Sequence, residues 1–175
     1  MSLMRYLFTP KTITKSLNVI KNTKSDPVSL GVSQDHIGIV RGHCNLFTGG
    51  LINCLAIGGV LRHKKNSRSN IVFLTHRSPR DYEALMDDLN RIKHDNRSNN
   101  NSPGDICLFY LMDQKRQTQP YLVEKRLICY DTLVGKLANN LGALYPNCNI
   151  HTLPYFAQNI IGDVATVSSI KSIGL

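Results

Sequence analysis

Tryptophan is absent from this chain, and aromatic residues make up only 7% of its 175 positions. A hydrophobic content of 42% is nevertheless ordinary for a globular protein, so the core has to be built mainly from Leu, Ile and Val. No apolar run approaches the ~20 residues of a membrane-spanning helix. The longest, 51–61, is short and interrupted by glycines. No C-x-x-C pair occurs, which excludes the common zinc modules. The cysteine count is odd, at five (Cys44, Cys54, Cys107, Cys129 and Cys148), which argues against a disulfide framework. Reduced thiols in a reducing, cytoplasmic compartment are the natural reading, with Cys107 and Cys129 expected as inert core residues of apolar strands.

Acidic residues are also scarce, 12 against 21 Lys and Arg, for a formal charge of +9. That surplus favours an acidic partner: an acidic protein, nucleic acid or an anionic surface. Nucleic acid is the less favoured, because the basic runs His63-Lys64-Lys65-Asn66-Ser67-Arg68 and Arg91, Lys93, Arg97 are not interleaved with aromatics for stacking. The first 25 residues hold five basic residues and no acid, without the apolar centre of a signal peptide. Residues 1–27 therefore read as a separate segment compatible with export or targeting, and 28–175 as one catalytic-type domain, in line with the usual domain size.

Along the chain, strands are expected over 29–40, 51–57, 71–75, 106–112, 121–129, 149–153 and 164–170, from β-rich runs bounded by turn formers. Residues 42–50 read as a loop by composition. Tyr82, Leu85, Met86, Leu89 and Ile92 recur at helical spacing behind Ser78-Pro79, and Leu133, Val134, Leu137, Leu141 and Leu144 form a second amphipathic face. The order of strands, helix, strands, helix, strands predicts an α+β fold: a layered, β-sandwich-like sheet core with two main helices.

A cysteine nucleophile needs a base to take its proton. Cys54 lies in a glycine-bounded run, and the strand after it ends at His76. If those two strands pair, His76 returns close to the start of the run that carries Cys54. Thr48-Gly49-Gly50-Leu51-Ile52-Asn53-Cys54 resembles the signature of the chemotaxis-receptor glutamine deamidases, and shares its Thr, Cys, His order with the cytotoxic necrotizing factor catalytic domain. Thr48 stands six residues before Cys54, Gly50-Leu51 falls on the family's Gly-Leu, and His76 and Pro79 follow in order. The likeness spans roughly residues 28–93. It departs where the family's Gly-Ser is Ile52-Asn53, in a longer Cys-to-His connection, and in the lack of a glycine-rich C-terminal region.

The resemblance implies a cysteine-dependent hydrolase that converts glutamine side chains of a target protein to glutamate, in the manner of an effector or toxin. Cys54 would be the nucleophile, held by His76 as an ion pair, and Thr48 would orient the imidazole. Backbone N–H groups of Asn53 and Cys54 would stabilise the oxyanion, and no metal or organic cofactor would be required. Lys64, Lys65 and Arg68, in the connection between the two strands, are expected to border the cleft and recruit an acidic target. A non-catalytic basic binding module and another thiol hydrolase, such as a peptidase, are the alternatives.

Overall fold

The structure, a computed structural model, describes residues 11–12, 28–42, 44–63, 70–95, 103–112, 119–155 and 163–168. Its strands are β1 (Lys11–Thr12), β2 (Val28–Gly31), β3 (His36–Arg41), β4 (Cys44–Leu51), β5 (Leu55–Leu61), β6 (Ile71–Arg77), β7 (Gly104–Leu111), β8 (Pro120–Val123), β9 (Arg126–Cys129), β10 (Cys148–Tyr155) and β11 (Asp163–Ser168). The helices are α1 (Tyr82–Asp95), between β6 and β7, and α2 (Tyr130–Leu144), between β9 and β10. The fold is mixed α+β with a β-sheet core, as expected.

Two sheets face one another. One has the order β1-β11-β4-β2 and the other β10-β7-β5-β6-β3. All seven residues of β5 are buried, which marks it as the strand covered on both faces. The sandwich closes tightly over it. A Cβ on Gly58 would lie 2.3 Å from Val167 of β11, and one on Gly59 would lie 2.8 Å from the Asp105 carbonyl. The Gly58-Gly59 pair, read from composition as the end of a strand, is therefore its interior: close approach of the facing sheet at Gly58 and of the adjacent strand β7 at Gly59, not a turn, demands glycine there. The helices cover the opposite face of the five-stranded sheet. Phe73 of β6 stacks on Tyr145 just beyond α2, and the Tyr145 hydroxyl donates to the Leu89 carbonyl of α1.

Two other expectations need correction. Most of the stretch read as loop, 42–50, belongs to β4, because Cys44, Leu46 and Thr48 alternate inward against the facing sheet while Asn45 and Phe47 are only half-buried. The strand expected over 121–129 is a hairpin, β8–β9, turning at Glu124 and Lys125, both with positive φ (48° and 65°). Cys129, at its end, is exposed and not a core residue, whereas Cys107 is buried and its thiol is pushed up to about 12 by burial. No helix among the described residues is long and apolar enough to cross a membrane.

Candidate active site

β5 and β6 pair as an antiparallel hairpin in which Ala56 stands opposite His76 and Leu55 opposite Arg77. Continued one residue beyond Leu55, that register sets Cys54 diagonal to His76, at the end of the sheet where β5 begins and β6 finishes. Diagonal neighbours across an antiparallel pair are within reach of long side chains. Gly50, with φ +73°, allows the sharp turn that ends β4 and delivers Asn53 and Cys54 to this corner.

Thr48 of β4, in the facing sheet, reaches across the sandwich. Its hydroxyl lies 2.6 Å from the Val32 carbonyl and 2.7 Å from His76 Nδ1. A carbonyl only accepts, so the single hydroxyl proton goes to Val32 and Thr48 must accept from His76 Nδ1–H. That fixes the tautomer: Nε2 carries the lone pair. Nε2 is buried and has no hydrogen-bond partner among the described residues. An unpartnered buried acceptor is costly in a fold and is the state a waiting general base requires.

Residues outside the motif complete the corner. Asp35 sits in the β2–β3 turn with φ 63°, and its backbone N–H donates to the His76 carbonyl at 2.8 Å. Its carboxylate acts on both His76 and Cys54. The Tyr155 hydroxyl, at the end of β10, donates to the Cys54 carbonyl at 2.6 Å. Neither residue carried any local sequence signal, because each arrives from a distant element, 101 residues away in the case of Tyr155.

Burial raises the Cys54 thiol above its ordinary value; the Asn53 backbone N–H pulls it down, and Asp35 and Asp81 raise it further. Burial also lowers the His76 imidazole, with Asp35 opposing. Both directions favour uncharged forms. They run against the ion pair expected from the resemblance.

A cleft of about 300 Å³ opens beside this corner, lined by Asn53, Ser78, Pro79, Arg80, Gln119 and Tyr121. Asn53 precedes Cys54 directly, and Ser78 follows His76 by two residues. The wall carrying Ser78 to Arg80 is fastened from behind. Arg77 grips Asp88 of α1 through Nε at 2.8 Å and Nη2 at 3.0 Å, and the Thr75 hydroxyl donates to the same carboxylate at 2.5 Å.

Lys64, Lys65 and Arg68 lie outside the described residues, as does His43. The strand ends that flank the basic loop, Leu61 and Ile71, pair with each other at the far end of the β5–β6 hairpin from Cys54 and His76. The course of the loop between them lies outside the described residues. Among the described residues, no group of three or more His, Cys, Asp or Glu side chains is placed to hold a metal ion.

No known protein family matches the chain, and no curated protein does either.

Proposed function

We propose that this protein is a cysteine-dependent glutamine deamidase acting on another protein. The observation that carries the reading is the Thr48–His76 hydrogen bond, which leaves a buried, lone-pair-bearing Nε2 at the strand corner where Cys54 enters the sheet. The order and spacing of Thr48, Cys54 and His76, and their resemblance to the chemotaxis-receptor deamidase signature, narrow a thiol hydrolase to a deamidase.

The chemistry follows from the protonation states. As Cys54 Sγ attacks the carboxamide carbon, its proton passes to His76 Nε2. The oxyanion that forms is met by backbone N–H groups of Asn53 and Cys54. His76 then returns its proton to the departing nitrogen, which leaves as ammonia, and a thioester remains. Water, deprotonated by His76, cleaves the thioester and releases glutamate. Thr48 holds the ring in one tautomer and one orientation throughout. The target is an acidic protein, to which the +9 chain is complementary. A nucleophilic thiol suits a reducing compartment, the cytoplasm of the producing cell or of a cell into which the protein is exported.

The test uses β-casein and the dipeptide carbobenzoxy-Gln-Gly as substrates. Ammonia release with conversion of Gln to Glu, both lost in Cys54→Ala, is the expected result. Cleaved casein backbone without ammonia would assign the site to a peptidase. Full activity in folded Cys54→Ala would remove Cys54 from the mechanism.

A further inference from the structure

The hairpin β8–β9 belongs to neither main sheet. Two strands alone are marginally stable, so one face must be held by packing. That face carries Tyr121 and Val123, both buried, and Tyr121 meets Tyr130 of α2 with ring centroids 5.7 Å apart. The other face is left bare. Pro120 pairs with Cys129 and Leu122 with Leu127, and all four are exposed, Leu122 by 61% and Leu127 by 72%. A ribbon with an entirely apolar outer face facing water is not explained by folding.

The hairpin adjoins the cleft through the edge of its packed face. Gln119 and Tyr121, from the start of the hairpin, form one of its walls. Two further large hydrophobics stay exposed at the same end of the five-stranded sheet. Ile52 (40%) lies two residues before Cys54, and Met112 (39%) directly follows β7, whose Phe109 pairs with Ala56. Four of the five exposed large hydrophobics among the described residues thus gather at the cleft end of the sheet. The cations here are unspent. Arg80 in the cleft wall and Lys125 and Arg126 at the hairpin turn make no ion pair with any described carboxylate. The hairpin's own Glu124 is taken by Lys136.

We infer that the outer face of β8–β9 is the docking surface for the target protein, and that it takes an apolar patch edged by carboxylates. The inference rests on the deamidase reading for what docking achieves, namely presenting a glutamine of the bound protein to the cleft. The cations select an acidic partner and speed encounter, while the leucines supply the contact that persists once salt screens the charges.

Binding and turnover are measured apart. Fluorescently labelled β-casein, an acidic, glutamine-rich protein, is titrated with full-length Cys54→Ala protein, with and without Leu122→Ser and Leu127→Ser, followed by anisotropy. The expected result is that the paired serine substitutions weaken casein binding about tenfold, as loss of two central apolar contacts does. Attaching polyethylene-glycol maleimide to the exposed Cys129 has the same effect without altering the leucines. In the Cys54-intact protein, hydrolysis of carbobenzoxy-Gln-Gly is unchanged by the serine pair. Equal casein affinity with and without the substitutions overturns the proposal. So does loss of binding to phosphatidylserine vesicles, or loss of self-association, with casein binding intact. A wild-type protein that binds casein through this face yet never releases ammonia would sink the deamidase reading and leave the docking surface standing.

Discussion

At the scale of single residues the site turns on one hydroxyl proton. Because Thr48 gives it to Val32, His76 is held as the Nδ1–H tautomer. Thr48→Val keeps the shape and removes the acceptor. We expect kcat to fall by about 10- to 100-fold, the usual cost of losing the group that orients a histidine, with KM little changed. On the proposed mechanism Cys54→Ala should abolish turnover and His76→Ala nearly do so. The double substitution is no worse than Cys54→Ala alone, since the two act as a unit. Steady-state kinetics on carbobenzoxy-Gln-Gly checks all three, and additive losses would mean that the two residues work separately. The same directions of shift also predict the pH profile. The proposed mechanism needs unprotonated His76, whose ionisation burial lowers from the ordinary 6.5, and a protonated thiol, whose ionisation burial raises from the ordinary 9.0. kcat/KM should therefore rise only on the acid side of pH 6.5 and stay level past neutrality, without the bell centred below pH 7 that an ion pair would give. Iodoacetamide should meet Cys129 first, since that thiol is exposed and the Thr132 hydroxyl lowers its ionisation.

At the scale of elements, α1 is the brace for the cleft wall. Asp88 is nearly buried and accepts from both Arg77 and Thr75. Asp88→Ala would strand the Arg77 guanidinium and should cost about 3 kcal/mol, as breaking one side of a buried pair does, read as a lower urea midpoint with unchanged slope. A loss below about 0.5 kcal/mol, the scale of an exposed pair, would show that α1 is held by its apolar face alone. The helices themselves were legible because their apolar spacing is local: Tyr82, Leu85, Leu89 and Ile92 are all buried, as are Leu133, Val134, Leu137 and Leu141. Strand limits were less so. Nothing near Gly58-Gly59 in sequence announces Val167 in the facing sheet or Asp105 in the adjacent strand, and the Glu124-Lys125 turn lacks the Asn-Gly signal that marks a tight hairpin.

At the scale of the whole molecule, burying His76 makes the fold acid-sensitive. Its ionisation is lower in the folded protein than in the unfolded chain, so the unfolded state binds a proton first as pH drops. The stability that neutral His76 contributes is complete above pH 6.5 and drains away as pH falls through the lower, folded value. Asp105 acts in a more acidic window. Burial raises its carboxyl, but hydrogen bonds from Asn149 and Arg62 more than offset that, and its net ionisation is lowered. Its contribution is present above 3.8 and lost below. Urea unfolding at a series of pH values should show a wild-type decline below pH 6.5 that His76→Gln flattens, while the steeper decline below pH 4 remains. Parallel curves for the two proteins would mean that His76 is not buried neutral.

The sequence by itself determined the composition of the core, the two helices, the α+β order, and the Thr48, Cys54 and His76 candidates, because periodicity and short motifs are properties of neighbouring residues. Only the tertiary structure decided that β4 is a strand, that Thr48 crosses between sheets to fix the His76 tautomer, and that Asp35 and Tyr155 belong to the same corner. It also decided that the β8–β9 hairpin stands beside the cleft. Those outcomes depend on which distant strands pair and which faces meet, and the free energy that selects them comes from burial summed over both layers, which no local stretch of chain encodes.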